Sequence, residues 1–378
     1  MTWDITGMGA VACNGGTPSD IFDALCAGRD GLGPLQVFDH DKYRARHAYE
    51  ISDRAVPGVD EPGRATRWLV AAIDQALADA GLPGDLAEVP VLVGTTLQEQ
   101  RSAELWWRHG APLDPADLHF GTALRERYGA ARTYTYANAC AASLYALAMA
   151  TDLIELGEAD TVVVAGTDAI GESAFGTLDR VQNDVPDALR PFDRSHRGML
   201  MGEGAVAVVL TRAAGPGRRV HARLRGVGVN CDAHHPTAPD PEGITRVLRD
   251  AHRRAEVSPE DIDLVMLHGS GTPKNDSTEA AVLSRIFAPG SGPLMTAVKS
   301  MTGHTLGGSG LLSLTMAALA VQRGQVPPVL GLTDPVEEAR ELRLVRGGPA
   351  VGQDLTLAQI DAFGFGGINA AAILEAAR

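Results

Sequence analysis

The chain has 378 residues, 45% of them hydrophobic, so it can bury a large core without disulfides or a structural metal. Its formal net charge of −14 argues against nucleic acid or an anionic membrane as a general partner. Four cysteines, Cys13, Cys26, Cys140 and Cys231, lack the close spacing of a disulfide framework or zinc ribbon and point to a reducing, cytosolic setting.

Strand-like and helix-like stretches alternate along the chain, the pattern of an α/β fold. The N-terminus shows no signal-peptide pattern, and Ile5 to Val11 reads as an opening strand. Ala65 to Ala80 has apolar residues at helical spacing and stops at Gly81, with Pro83 beyond. Pro90 to Gly94 is a short buried-strand pattern, and Thr133 to Ala137 alternates like a strand and leads into Cys140. Ala141 to Leu156 is apolar on most sides and predicts a central buried helix. Thr161 to Ala165 and Ala205 to Leu210 are further strands. The stretch Ala213 to Gly217 then marks a boundary between segments 1–212 and 218–378.

Beyond it, His221 to Val229, Ile262 to Leu267 and Leu294 to Val298 read as strands, and Gly243 to Ala255 as a helix with basic residues near its end. Leu311 to Ala320 predicts another buried helix; the apolar run around it, to Val321, is too short to span a bilayer. Leu357 to Ala362 and Ala370 to Leu374 flank a glycine-rich turn.

Cys140 lies at a strand-to-helix junction, within Asn138-Ala139-Cys140-Ala141-Ala142-Ser143. Backbone N–H groups at a helix start favour a thiolate, so a lowered thiol pKa is expected. A buried structural cysteine fits the same local sequence. His268 follows an apolar strand and precedes Gly269-Ser270-Gly271-Thr272, which suits either a rigid catalytic ring or a loop-capping histidine. His304 stands in Gly303-His304-Thr305, after the strand-like run and Lys299. Lys299 either holds a nearby carboxylate, with Glu279 as candidate, or is solvated. The glycines of Phe363-Gly364-Phe365-Gly366-Gly367 let backbone N–H groups aim at a developing oxyanion. His234, His235 and Cys231 lack the spacing of a zinc motif, and no metal is expected.

Taken together and in order, these motifs resemble those of the elongating β-ketoacyl-ACP synthases, the Cys-His-His members of the thiolase superfamily. Ala139 to Ser143 matches the nucleophile motif, His268 to Thr272 and Gly303 to Thr305 the two histidine motifs, and Phe363 to Gly367 the C-terminal loop. Pro191-Phe192-Asp193, Gly202-Glu203-Gly204 and Thr237 to Asp240 match as well, so the resemblance spans nearly the whole chain. It implies a thiolase fold of two similar halves layered α-β-α-β-α, usually a dimer, working without a cofactor. By the same resemblance Cys140 takes the acyl group, while His268 and His304 stabilise the enolate formed when a malonyl-type extender loses carbon dioxide. The N–H groups of Cys140 and Phe365 form the oxyanion hole, and Phe365 also gates the acyl pocket. Lys299 and Glu279 support the histidines, and Thr272, Phe363 and Gly366 contact substrate.

An acyl carrier protein is the implied partner, together with a second copy or a chain-length-type subunit. Two arginine groups are candidate docks: Arg44, Arg46, Arg54, Arg64 and Arg67, and Arg218, Arg219, Arg223 and Arg225; simple surface charge is the alternative. Asp361-Ala362 stands where the family commonly has Asn-Ser, and Ile368 replaces a usual Thr. The segment from Thr95 to Arg132 is short for the family and carries Trp106-Trp107, which either reshape the acyl pocket or anchor a core or interface. Competing readings are an acyl transferase or hydrolase on the same scaffold, and a partner subunit of a ketosynthase heterodimer. The intact Cys140, His268 and His304 speak against a non-catalytic partner. The absence of a cysteine after Cys231 speaks against a biosynthetic thiolase.

Overall fold

The computed structural model describes residues 2–56 and 58–377. In the N-terminal half, β1 (Trp3–Ala12), β2 (Val91–Thr95), β3 (Thr133–Ala137), β4 (Thr161–Asp168) and β5 (Gly204–Thr211) lie in the order β1-β5-β4-β2-β3. The C-terminal half contributes β6 (Ala222–Cys231), β7 (Leu264–Met266), β8 (Leu294–Thr296), β9 (Arg343–Leu344), β10 (Leu357–Gly364) and β11 (Ile368–Ala376). Their order is β6-β11-β10-β7-β8, with the two-residue β9 at the edge. Each half therefore sets its first long strand beside its last. In both halves the first two pairings are antiparallel and the next two parallel. Residues 3–5 of β1 pair with 222–224 of β6 and join the halves into one eleven-stranded sheet.

The helices that matter for the site are α1 (Arg64–Ala80), α2 (Gln100–His109), α3 (Ala142–Glu155), α4 (Glu172–Val181), α5 (Pro241–Ala255), α6 (Pro273–Ile286) and α7 (Ser309–Arg323). α3 and α7 touch each other and strands of both halves, so they form the middle layer. Every residue of α7 from Ser309 to Val321 is buried, which explains its lack of a polar face. α1 and α5 cover the outer faces of the two halves, completing five layers. α1 buries Trp68, Leu69, Ile73 and Leu77 on one stripe, each contributing about 1.5–3 kcal/mol. It ends at Gly81, whose left-handed conformation (φ +63°) lets its N–H reach back to Ala78. α5 starts two residues earlier than its apolar pattern, because Pro241 opens it and the Asp240 carboxylate accepts from Glu242 and Gly243. No helix among the described residues is long and apolar enough to cross a membrane.

Two members of the first arginine group, Arg54 and Arg64, have a different role from a docking patch. Arg54 and Arg64 are buried and, with Arg101, hold the irregular segment before α1. Arg64 lies 3.1 Å from both Asp60 and Glu203 and 2.8 Å from Asp53, while Arg101 reaches Asp60 at 2.7 Å. Glu203 of the Gly-Glu-Gly motif sits at the centre of this network, its pKa pushed up to about 7 by burial against the pull of the two arginines. In the second group Arg223 pairs with Asp4, Arg225 with Glu375, and Arg218 donates to the Ala80 carbonyl. These arginines are engaged in the fold. Trp106 and Trp107 are 51% and 80% exposed on α2, so neither is a core anchor.

Candidate active site

The turn into α3 places the nucleophile candidate. β3 ends at Ala137, Ala139 takes a left-handed conformation (φ +59°), and a single 3-10 turn over Ala139–Ala141 leads into α3. Such backbone is costly for a residue with a Cβ and marks a constrained bend. The β10–β11 turn folds over it. A Cβ at Gly364 would lie 3.2 Å from the Cys140 nitrogen, so glycine permits this approach. The backbone N–H groups of Cys140 and Phe365 favour the charged form of the Cys140 sulfur.

The thiol departs from the lowered pKa expected at a helix start. Burial pushes Cys140 up to about 11; the Lys299 charge and the two N–H donors pull the other way, and Asp168 adds to the rise. Desolvation outweighs the helix-terminus effect because the loop closes over the sulfur.

His268 follows β7, which is only three residues long, and its ring packs 5.4 Å from that of His304 and 5.8 Å from that of Phe363. The Glu279 carboxylate on α6 accepts from the His268 and Gly269 backbone N–H groups at 2.7 and 2.9 Å. Lys299 Nζ donates to the His268 carbonyl at 2.5 Å. Lys299 and Glu279 form no direct ion pair; they act on the same residue from two sides. A one-turn helix, Lys299–Thr302, separates β8 from His304, so this histidine does not follow its strand directly.

The Leu306 N–H donates to His304 Nδ1 at 3.1 Å, which leaves the neutral ring's proton on Nε2. That Nε2 is buried without a protein partner, as is His268 Nδ1. Burial and the Lys299 charge hold both imidazoles well below the usual histidine range, so both are neutral near pH 7. Burial likewise lowers Lys299 and raises Glu279.

A narrow cleft of about 30 Å³ reaches Cys140, His268, His304, Thr272 and Phe363. A cavity of about 280 Å³ lies on the other side of Cys140, and an outer cleft of about 230 Å³ leads in past Thr272 and Lys274. Phe365, 44% exposed, lines all three spaces. Gly366 lines none of them; its N–H is taken by the Pro236 carbonyl at 2.8 Å. Neither Trp106 nor Trp107 lines the 280 Å³ cavity. His235 belongs to the narrow cleft, and its Nδ1 accepts the Thr237 and Ala238 N–H groups.

Asp168 and Asp276 had no signal beyond a polar residue near an element end, whereas Asp193 belongs to the Pro-Phe-Asp motif. Asp168, at the end of β4, accepts from Thr95, Thr96, Leu97 and Gly307, and so ties the loop after β2 to the His304 segment. Asp276 accepts from Phe192, Gly271 and His196, joining the Pro-Phe-Asp motif to the His268 loop. Asp193 accepts from Ser195, Thr333 and Asp334.

The family models for the β-ketoacyl synthase N-terminal and C-terminal domains match residues 4–215 and 221–333. The chain belongs to the β-ketoacyl synthase family. This synthase is 30% identical to the 3-oxoacyl-(acyl-carrier-protein) synthase 2 of Synechocystis sp., over 97% of its own length and 95% of the relative's. It is also 30% identical to the chloroplastic 3-oxoacyl-(acyl-carrier-protein) synthase I of Arabidopsis thaliana, over 98% and 86% of the two chains. Among solved structures, the ishigamide ketosynthase/chain length factor superposes with a TM-score of 0.90 at 32% identity, covering 100% of this synthase and 99% of that chain. The fold is the thiolase fold of these ketosynthases.

Proposed function

We propose that this synthase carries out a decarboxylative Claisen condensation in fatty-acid or polyketide biosynthesis. One observation carries the reading: a buried thiol with two N–H donors shares a cleft with two neutral histidines. Cys140 Sγ bonds to the acyl carbon of a thioester, the carrier's C–S bond breaks, and the departing carrier sulfur takes the thiol proton. The Cys140 and Phe365 N–H groups stabilise the oxyanion of each tetrahedral step. A malonyl-type thioester then loses carbon dioxide, and the electrons of the broken C–C bond become an enolate. His268 and His304 hold the enolate oxygen as neutral donors. The carbanion bonds to the acyl carbon, the bond to Sγ breaks, the sulfur recovers a proton from solvent, and a β-ketoacyl thioester remains on the carrier.

In this reading segment 1–212 supplies the nucleophile and segment 218–378 supplies both histidines and the Phe365 gate. Glu279 and Lys299 position His268; Thr272 and Phe363 line the extender side. The partner is an acyl carrier protein whose arm enters by the outer cleft. Arg197 and Lys274 line that cleft, both exposed and both without an ion pair or hydrogen bond among the described residues. They fit a phosphodiester better than Arg54 and Arg64, whose guanidinium groups are committed to the fold. β3 leaves one edge of the sheet open with Tyr134 exposed, which supports assembly there with a second copy or a chain-length-type subunit. The four free thiols fit a reducing cytoplasm.

Intact mass spectrometry with acyl- and malonyl-carrier protein tests the reaction. Acylation of Cys140 followed by a product one ketide unit longer is the expected result. Acylation followed only by hydrolysis or transfer would replace condensation with the acyl-transferase reading.

A further inference from the structure

The 280 Å³ cavity beside Cys140 is walled mainly by apolar side chains, among them Leu97, Leu178, Met201 and Leu306. A hydrocarbon chain would suit those walls. Two side chains of the same wall do not fit that occupant. Gln100, in the first turn of α2, makes no side-chain hydrogen bond among the described residues, and its Oε1 is buried. The Thr96 hydroxyl is also buried without a partner, although the Thr96 backbone N–H is held by Asp168.

The surroundings explain why Gln100 has no protein partner to turn to. Glu104, one turn further along α2, accepts the Glu172 and Ser173 N–H groups at 2.7 and 2.8 Å and fastens the start of α4. Gly171 passes beneath, and a Cβ there would lie 3.2 Å from Gln100 Oε1 and 3.3 Å from Glu104 Oε1. The α2–α4 contact thus uses Glu104 for support, while Gln100 lines the cavity with its Oε1 buried and unpaired.

A polar group buried without a partner destabilises its state. In this cavity a saturated acyl chain would leave Gln100 and Thr96 without hydrogen bonds. A chain carrying an oxygen function would supply them. Sites built to hydrogen-bond a substrate group discriminate strongly against the analogue that lacks it.

Building on the acyl-transfer reading above, we infer that Gln100, with Thr96, selects an oxygenated acyl group, a hydroxyl- or keto-bearing chain, over its saturated counterpart. Gln100 is on this view a specificity-determining residue of the acyl pocket.

The test is loading of Cys140 from synthetic pantetheine thioesters, followed by intact mass spectrometry. The probes are octanoyl-pantetheine and its derivatives hydroxylated at C3, C5 or C7 in turn. The wild type should load at least one hydroxylated chain about tenfold faster than octanoyl, the size expected for a satisfied buried polar group. Gln100→Leu should level that preference by speeding octanoyl and slowing the hydroxylated chain, and Thr96→Val should move it in the same direction. Faster or equal loading of octanoyl by the wild type would overturn the inference while leaving acyl transfer intact. So would a preference that survives both substitutions. No label on Cys140 from any thioester would remove the acyl-transfer reading itself, and this inference with it.

Discussion

Lys299 and Glu279 meet through His268 instead of through each other: the ammonium holds its carbonyl and the carboxylate its backbone N–H. Both groups are buried, and each shifts the other's titration. The Glu279 charge raises the Lys299 pKa against the lowering by burial. Glu279→Gln removes that support, so Lys299 would lose its proton at lower pH than in the wild type. The alkaline limb of the condensation profile should therefore move toward neutrality, with the rate at pH 7 falling about tenfold as His268 loosens. A profile of unchanged shape would show that Glu279 does not set the charge of Lys299.

The histidine pair makes a pH prediction of its own. Both imidazoles are held far below the ordinary histidine value of about 6.5, so acidification through that value should leave them neutral. In Cys140→Gln, which cannot be acylated, release of carbon dioxide from a malonyl thioester isolates their step. That release should persist without a break between about pH 7 and about pH 5.5, and His304→Ala should lower it about a hundredfold or more. A fall in release centred near about pH 6.5 would show that one ring is protonated in that range.

Carrier docking separates by ionic strength. Arg197→Ala and Lys274→Ala should each slow acyl transfer from carrier protein about fivefold at low salt, with the difference shrinking at high salt. Transfer from a pantetheine thioester, which has no phosphate, should be unaffected by either substitution. Equal slowing with both donors would place these cations in the chemistry of the site instead of in recognition of the arm.

The exposed tryptophans make a contrasting case. Because neither lines the cavity beside Cys140, Trp106→Ala and Trp107→Ala should leave acyl-chain preference as it is in the wild type. Loading assays over a series of chain lengths check this. A changed preference in either variant would mean that α2 bends or that another subunit turns its indole toward the chain.

Much of this arrangement is legible in the sequence where a signal is local. The stop of α1 at Gly81, the buried character of α3 and α7, and the glycine loop at Phe363 to Gly367 are all written in neighbouring residues. The helices α2, α4 and α6 are not, because each presents few apolar residues and owes its packing to partners elsewhere. The Cys140 thiol shows the same limit. The helix start that lowers its pKa lies beside it in sequence, whereas the burial that raises it comes from Gly364 and Phe365, folded back from the other half of the chain. The arginine groups mislead for the same reason, since clustering in sequence conceals partners such as Glu203, far from Arg64 along the chain.

That ion network yields a stability prediction. Arg64 is only 2% exposed and contacts Asp53, Asp60 and Glu203, and its ring-facing side lies 4.4 Å from the centroid of Trp68. Removing one member of a buried ionic cluster leaves the remaining charge poorly compensated, even with Arg54 and Arg101 in place, which costs up to about 3–5 kcal/mol. Arg64→Ala should therefore unfold at markedly lower urea concentration, whereas Arg64→Lys should recover only part of the loss because an ammonium cannot span the three acids in one plane. Glu203 sharpens the expectation. Arg64 is the first of the charges that lower its pKa, so Arg64→Ala would push Glu203 further up and favour its neutral form. The loss of stability should then ease as pH falls and Glu203 takes up a proton, a trend read directly from urea midpoints at several pH values. A penalty independent of pH would assign the role of Arg64 to Asp53, Asp60 and Trp68 and not to Glu203.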